Sequence, residues 1–451
     1  MIGRSTIRCM MATLLLLFAA GCTSQIPFFA PPTTVATRQS EASVTPEVSA
    51  AATPLGETAE AQADEANTPE SELPVQLTLW TIKAVSPQAE GDAGAVFDNG
   101  LTAFENTHPD VQISVVLKND SGKGSVPDYL RTASQAAPNV LPDLVVLNMV
   151  DLAHAAQTGV VVPLDGLLLP SLVDDLLPGA RAAGVVDGQL MGVPFEMNVE
   201  HLIYNTNKVT STPITWTGVI SADTTYVFPA KGKNGLVNDA FLIQYLALGG
   251  RLQDDEGRPF LDEQALRAAL GYYHQGVEEG VIPPKVLAVS SPDEIWPDYV
   301  AAQVGMAHVS GSRFLGDRSV LNSTDYAGVP THDGTPLTIG HGRALAIVAQ
   351  DPDRQALAAR LIEWLMEPDN NVAWSRATLY LPTRYAAFDL IGDEDPYWTF
   401  LEHQLETAVP SPSFAEYDQI GRVLQQAVIE VLSEEATPEE AAAAAVDAIS
   451  P

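Results

Sequence analysis

The sequence predicts an α/β body built on a mostly parallel sheet, carried behind a leader and a segment that does not fold. Three observations support this reading. Strand-like and helix-like runs alternate from Val75 to Leu147. Residues 23–74 are mainly Ala, Thr, Ser, Pro and Glu, with almost no apolar periodicity. A short apolar run near the N-terminus closes on Ala19-Ala20-Gly21-Cys22.

The leader comes first. Arg4 and Arg8 give a positive start, and Met11 to Ala20 form an apolar stretch too short for a permanent membrane span. Small residues then lead into Cys22, the pattern of a bacterial secretion signal (residues 1–22) cut before a cysteine whose thiol is acylated. Ala19 departs from that pattern, which most often has Leu there. The chain has two cysteines, Cys9 and Cys22, so no disulfide framework can hold the mature body, and an ordinary apolar core must do so. Residues 23–74 cannot bury enough surface to offset ordering and are expected to be a disordered tether reaching roughly 40 Å. After Cys22 no apolar run reaches the ~18 residues of a further span.

The body opens at Val75-Gln-Leu-Thr-Leu-Trp-Thr-Ile82, a β-branched and aromatic run. Phe97, Leu101 and Phe104 follow at helical spacing, with His108-Pro109 as the stop. A strand at Val111–Leu117, a helix around Tyr129–Ala137 and a strand at Asp143–Leu147 complete the pattern of a parallel sheet with crossover helices. Beyond Gly192-Val-Pro-Phe195, strands are expected at His201–Asn205, Val227–Pro229, Val304–Val309 and Leu345–Val348. Helices are expected at Asp239–Leu248, Glu263–Glu279, after the cap Asp351-Pro352, and at Pro438–Ala448.

Composition narrows the chemistry. With 57 acidic and 23 basic residues, the formal charge of −34 disfavours nucleic acid and anionic lipid headgroups as partners. Catalytic signatures are missing: the eight histidines never form His-Glu-x-x-His, and no cysteine cluster could hold zinc. Ser121-Gly-Lys-Gly-Ser125 and Ala230–Gly235 lack the phosphate-loop frame, and Val309-Ser-Gly-Ser-Arg313 lacks that of a nucleophile elbow. No catalytic residue, metal or cofactor is therefore expected. Aromatic and polar residues at strand ends suit a polyol, whose C–H faces stack on rings while its hydroxyls take polar partners.

Over about residues 75–450 the sequence resembles the family-1 extracellular solute-binding proteins of ABC importers, the maltose-binding-protein type. The pieces occur in that family's order. They are Leu77-Thr-Leu-Trp80, Phe104-Glu-x-x-His-Pro-Asp-Val111, Pro142-Asp-Leu-Val-Val146, and Gly192-Val-Pro-Phe195 with Tyr204-Asn205. Gly249-Gly250, Asp254-x-x-Gly257, Val304-Gly-Met-Ala307 with Ser310-Gly311, Ala358-x-x-Leu-Ile-Glu-Trp-Leu365 and Leu381-Pro-Thr-Arg384 follow. The resemblance implies a two-lobed, type II periplasmic-binding-protein-like fold with a ligand cleft between lobes. Lobe one is then 75–198 and 328–366, and lobe two is 199–327 and 367–451. The crossings fall near Met197–Val199, Ala327–Pro330 and Met366-Glu367.

The resemblance also implies a lipid-anchored, extracytoplasmic receptor. It would act as a monomer, close on a small solute, most readily a sugar, and deliver it to ABC permease subunits. An exported sugar-acting enzyme and a surface sensor without an importer are the alternatives. Cleft candidates are Trp80 (stacking face or core), Asn148 and Asp151 (ligand contact or helix cap), and Glu196 and Asn198 beside the first crossing. Asn238 and Asp239 at a helix start, Ser310, His341, Gly342 and Arg343 in a Gly-rich turn, and Tyr380 complete the set. Arg313 stands where maltose-type members have a stacking tryptophan, which leaves the sugar open.

Overall fold

The computed structural model describes residues 74–449; the expected signal, Cys22 and the tether lie outside them. Alternation of apolar residues makes β1 (Val75–Ile82) a strand that buries Leu77 and Leu79 completely. Helix α1 (Ala93–Thr107) buries Phe97, Leu101 and Phe104 on one stripe, and His108 caps its end. Then come β2 (Val111–Lys118), α2 (Val126–Ala136, capped by Ser125), β3 (Leu144–Asn148) and α3 (Met149–Gln157). Both β2 and β3 pair with β1 in parallel. A small ribbon, β4 (Val185–Val186) with β5 (Gln189–Leu190), precedes a 13-residue strand, β6 (Val193–Asn205).

The remaining elements are β7 (Tyr226–Val227), α4 (Asp239–Ala247), α5 (Glu263–Glu278), α6 (Pro292–Val300), β8 (Met306–Ser310), α7 (Gly311–Asp317) and β9 (Thr324–Ala327). They are followed by β10 (Thr338–Ile347), α8 (Pro352–Leu365), α9 (Pro368–Thr378), α10 (Pro396–Glu406), β11 (Ala408–Pro410), α11 (Tyr417–Leu432) and α12 (Pro438–Ile449). The strand order is β2-β1-β3-β10-β6-β8-β7, with β11 beside β10 and β9 beside β6. The sheets are mixed rather than mostly parallel, because β10 runs antiparallel to both β3 and β6, and β6 runs antiparallel to β8 and β9.

Strand β6 belongs to both lobes. Val193 to Val199 pair with β10, and from Glu200 onward the partners are Ser310 to Met306 of β8 and Ala327 to Thr324 of β9. The chain returns to the first lobe at β10. Between the two, Pro330 still accepts a hydrogen bond from Gln244 Nε2 (2.7 Å) of α4 in the second lobe.

The expected crossing at Met366-Glu367 does not divide the lobes. Helix α9 packs on α1, and its Trp374 lies against Phe97 (5.6 Å between ring centres) and Phe195 (5.2 Å) of lobe one. An indole this deeply buried takes its helix with it. Chain beyond β11 packs as α11 and α12 against α5, in the second lobe. Among the described residues no helix is long and apolar enough to cross a membrane.

One buried group ties the second-lobe half of β6 to α10. His201 is fully buried, with Nε2 2.6 Å from the Tyr397 hydroxyl and Nδ1 3.0 Å from the Leu202 carbonyl. This network suits a neutral ring in which Nδ1 donates and Nε2 accepts. Burial pushes its pKa down to about 4. The unfolded chain takes up that proton near pH 6.5, so this contribution is complete above pH 6.5 and is lost as pH falls toward 4, by about 3 kcal/mol. Urea unfolding at pH 7 and pH 4 should show His201→Gln, although less stable at pH 7, losing about 3 kcal/mol less than the native chain across that interval. Equal losses would contradict the assignment.

Candidate functional site

Beside the strand shared by the two lobes lies a hollow of about 620 Å³. It opens at the carboxyl ends of the parallel strands β1 and β2, where open α/β sheets place ligands. Ile82 ends β1 and is followed by Lys83 and Ala84, while Lys118 ends β2 and is followed by Asn119 and Asp120. Glu196 of β6, Arg343 of β10, and Thr378 and Tyr380 after α9 supply the floor and far wall. A recess of about 30 Å³ continues from it to Asn148 and Asp151. A larger groove, about 1060 Å³, lies between α2 and α3, but it holds none of the strand-junction residues and shares only Asp151 with the candidate set. The hollow at the junction is therefore the candidate site.

Its floor is an ion pair held from three sides. Glu196 is buried, and one carboxylate oxygen accepts from Arg343 while the other accepts from the Trp374 indole at 2.7 Å. Burial raises the Glu196 pKa, against the lowering effect of Arg343 and Trp374. The Arg343 guanidinium lies 5.6 Å from the centre of the Tyr380 ring. Gly342 lets the two strands meet, since a Cβ there would lie 2.1 Å from the Glu196 carbonyl oxygen. On the facing wall Lys83 pairs with Glu90 at 3.0 Å. The Lys118 ammonium sits over the rings of Trp80 (4.2 Å) and Tyr129 (3.9 Å), and burial lowers its pKa.

The structure thus gathers Glu196, Arg343 and Tyr380, with Asn148 and Asp151 in the adjoining recess. Trp80 is a correction: it is only 6% exposed, lies edge-on to Tyr129, and is covered by Lys118, so it offers no free stacking face. Several polar candidates act as helix caps. Asn148 Oδ1 accepts from the Asp151 amide (2.9 Å), Asn238 Oδ1 from the Phe241 amide (2.9 Å), and Ser310 Oγ from the Arg313 amide (3.4 Å). Asn238 is buried among Ala230 and Gln425, away from the hollow. Burial raises the pKa of Asp151.

Arg313 is turned to its own lobe, pairing with Asp317 (2.8 Å) and lying over the Trp296 ring (4.7 Å). Asn198 bridges to α7 through Ser312 Oγ at 2.7 Å. Asp239 and His341 meet each other, with His341 Nε2 2.9 Å from Asp239 Oδ2. Burial opposes charge on this imidazole, but Asp239 outweighs it and lifts the His341 pKa to about 9. Lys118, Asn119, Asp120 and Thr378 were not anticipated. The first three directly follow a legible strand, so the strand-end rule was the signal that could have found them.

A model of the family described as bacterial extracellular solute-binding protein matches residues 101–399. No curated protein matches the chain. Among solved structures, the cyclic alpha-maltosyl-1,6-maltose binding protein of Arthrobacter globiformis is 21% identical with a TM-score of 0.66, covering 83% of this chain and 98% of that one. The sugar-binding protein MalE of Xanthomonas citri is 20% identical with a TM-score of 0.67, covering 83% and 96%. An ABC transporter solute-binding protein of Thermotoga lettingae, bound with alpha-D-tagatose, is 20% identical with a TM-score of 0.62, covering 83% and 98%. These likenesses establish the two-lobed fold.

The buried floor makes a stability prediction. Glu196→Gln keeps the shape but leaves Arg343 without its counter-charge, and should cost about 3 kcal/mol in chemical denaturation. Adding Arg343→Met to that variant should recover part of the loss. A double variant no better than the sum of two independent losses would show the pair to be uncoupled.

Proposed function

Because the chain belongs to the bacterial extracellular solute-binding protein family, we propose that it captures a sugar or oligosaccharide in the junction hollow and delivers it to the membrane permease of an ABC importer. The observation that carries this reading is the composition and position of the hollow. Asn119 and Asp120 after β2, Arg343 of the hinge strand β10 and the Tyr380 ring after α9 line the same hollow, with the guanidinium 5.6 Å from the ring centre. Sugar hydroxyls take both donors and acceptors, and a carbohydrate face packs on an aromatic ring. The structural relatives whose ligands are named bind maltosyl sugars or tagatose, which favours carbohydrate over other solutes.

Capture proceeds by bending at the β6–β10 junction. Every residue lining the hollow belongs to the first lobe or the shared strands, so the second lobe supplies the closing wall. A solute that touches both walls favours the closed state by its extra contacts there, and by no more than those contacts. Asn198 and Ser312, already joined at the mouth of α7, lie where β6 passes between lobes. Acylation of Cys22 would hold the body at the membrane that carries its permease.

A stability screen of the full chain against malto-oligosaccharides, tagatose and other monosaccharides tests the reading. A sugar present at 100 times its dissociation constant should add ~2.7 kcal/mol to the unfolding free energy. Tyr380→Ala and Asp120→Asn should each weaken that sugar at least ~10-fold, as loss of a stacking face or a charge-assisted hydrogen bond implies. A response confined to amino acids or polyamines would contradict carbohydrate as the solute class.

A further inference from the structure

Outside the hollow, three side chains from three separate elements converge where the lobes meet. Glu200 comes from the second-lobe half of β6, Asp239 from the first residue of α4, and His341 from β10. One oxygen of each carboxylate and one ring nitrogen of the histidine all lie within 4.8 Å of one another, and all three residues are half-buried. We propose that Glu200, Asp239 and His341 form a binding site for a first-row divalent cation, with Zn²⁺ the ion best suited to it.

The donor set is the first argument. One imidazole nitrogen with two carboxylate oxygens is a ligand combination that Zn²⁺ and its neighbours accept, whereas Ca²⁺ and Mg²⁺ take oxygen alone. Ligands about 2.1 Å from a tetrahedral ion stand roughly 3.4 Å apart, so small side-chain adjustments would close the present spacing. Charge balance is the second. Beside the Asp239–His341 pair, Glu200 brings a second carboxylate, held by His308 on its other side, so that two carboxylates face one point where a dication would be neutralised.

Orientation is the third argument. His341 presents Nε2 to the carboxylates while Nδ1 lies 3.2 Å from Ser411 Oγ, the outer contact that fixes a ligating ring. Glu200 is tied in turn to His308 Nε2 of β8. Three protein ligands leave a fourth position for water. Since α4 belongs to the second lobe and β10 to the sheet of the first, an ion here would join the lobes at their hinge. This inference does not depend on the solute being a sugar.

The test uses the full chain stripped with a chelator. Isothermal titration with ZnCl₂ should show one site per chain, and Co²⁺ should produce the visible absorption of imidazole-bound cobalt. His341→Ala and Asp239→Asn should each weaken Zn²⁺ at least ~10-fold and abolish the cobalt spectrum. Absence of Zn²⁺ and Co²⁺ binding by the native chain, or binding undiminished in both variants, would overturn the proposal. Should one of these variants fail to fold, the other and Glu200→Gln carry the same readout.

Discussion

One strand in this molecule belongs to two sheets, and the rest of the architecture hangs from it. Backbone hydrogen-bonding groups that leave water must find partners. Strand β6 satisfies them with β10 up to Val199 and with β8 and β9 from Glu200. At the change of partner the backbone of β6 passes from one sheet to the other, so bending there would leave each packed half intact. The candidate groups on β6 and β10 sit within a few residues of this point. Glu196 and Arg343 lie on the first-lobe side, while Glu200 and His341 face the second lobe's α4.

The junction also explains the buried charge. A carboxylate as deeply enclosed as Glu196 is tolerated only with its lone pairs satisfied, and Arg343 and the Trp374 indole do this from β10 and α9. That arrangement anchors α9 to the first lobe and holds Arg343 against Tyr380, giving the hollow a rigid floor. Residue size matters equally. Without a glycine at 342, β10 could not approach Glu196 closely enough for its arginine neighbour to reach the carboxylate.

Much of the first lobe was legible because its elements obey simple periodicities. Leu77 and Leu79 alternate, Phe97, Leu101 and Phe104 recur at helical spacing, and Asp351-Pro352 starts α8 as caps do. The hinge strands were harder. Pro194 cannot donate to a ladder, and it sits where the β6–β10 register skips Phe195, so the sequence suggests a break where one long strand runs. Gly340-His-Gly-Arg343 reads as a turn for the same compositional reason, yet it is the start of β10. In the site, Asn148, Asn238 and Ser310 show why polar residues at helix starts mislead: the side chain that caps an amide is chemically the one that would hold a hydroxyl. Trp374 shows the converse, an aromatic whose place in the core fixed a lobe boundary that local pattern could not reveal. Glu200, Asp239 and His341 come from segments far apart in the chain, and no spacing rule joins them.

The central claim, rotation of two rigid lobes about the shared strand, is open to direct measurement. Both native cysteines precede the described body, so labels at Val140→Cys in the first lobe and Val300→Cys in the second, both exposed positions, report on it alone once Cys9 and Cys22 are removed. Pulsed electron-spin distance measurement should give one distribution without solute and a distinctly shorter one with a sugar that binds. A distribution unchanged by saturating sugar would contradict the account.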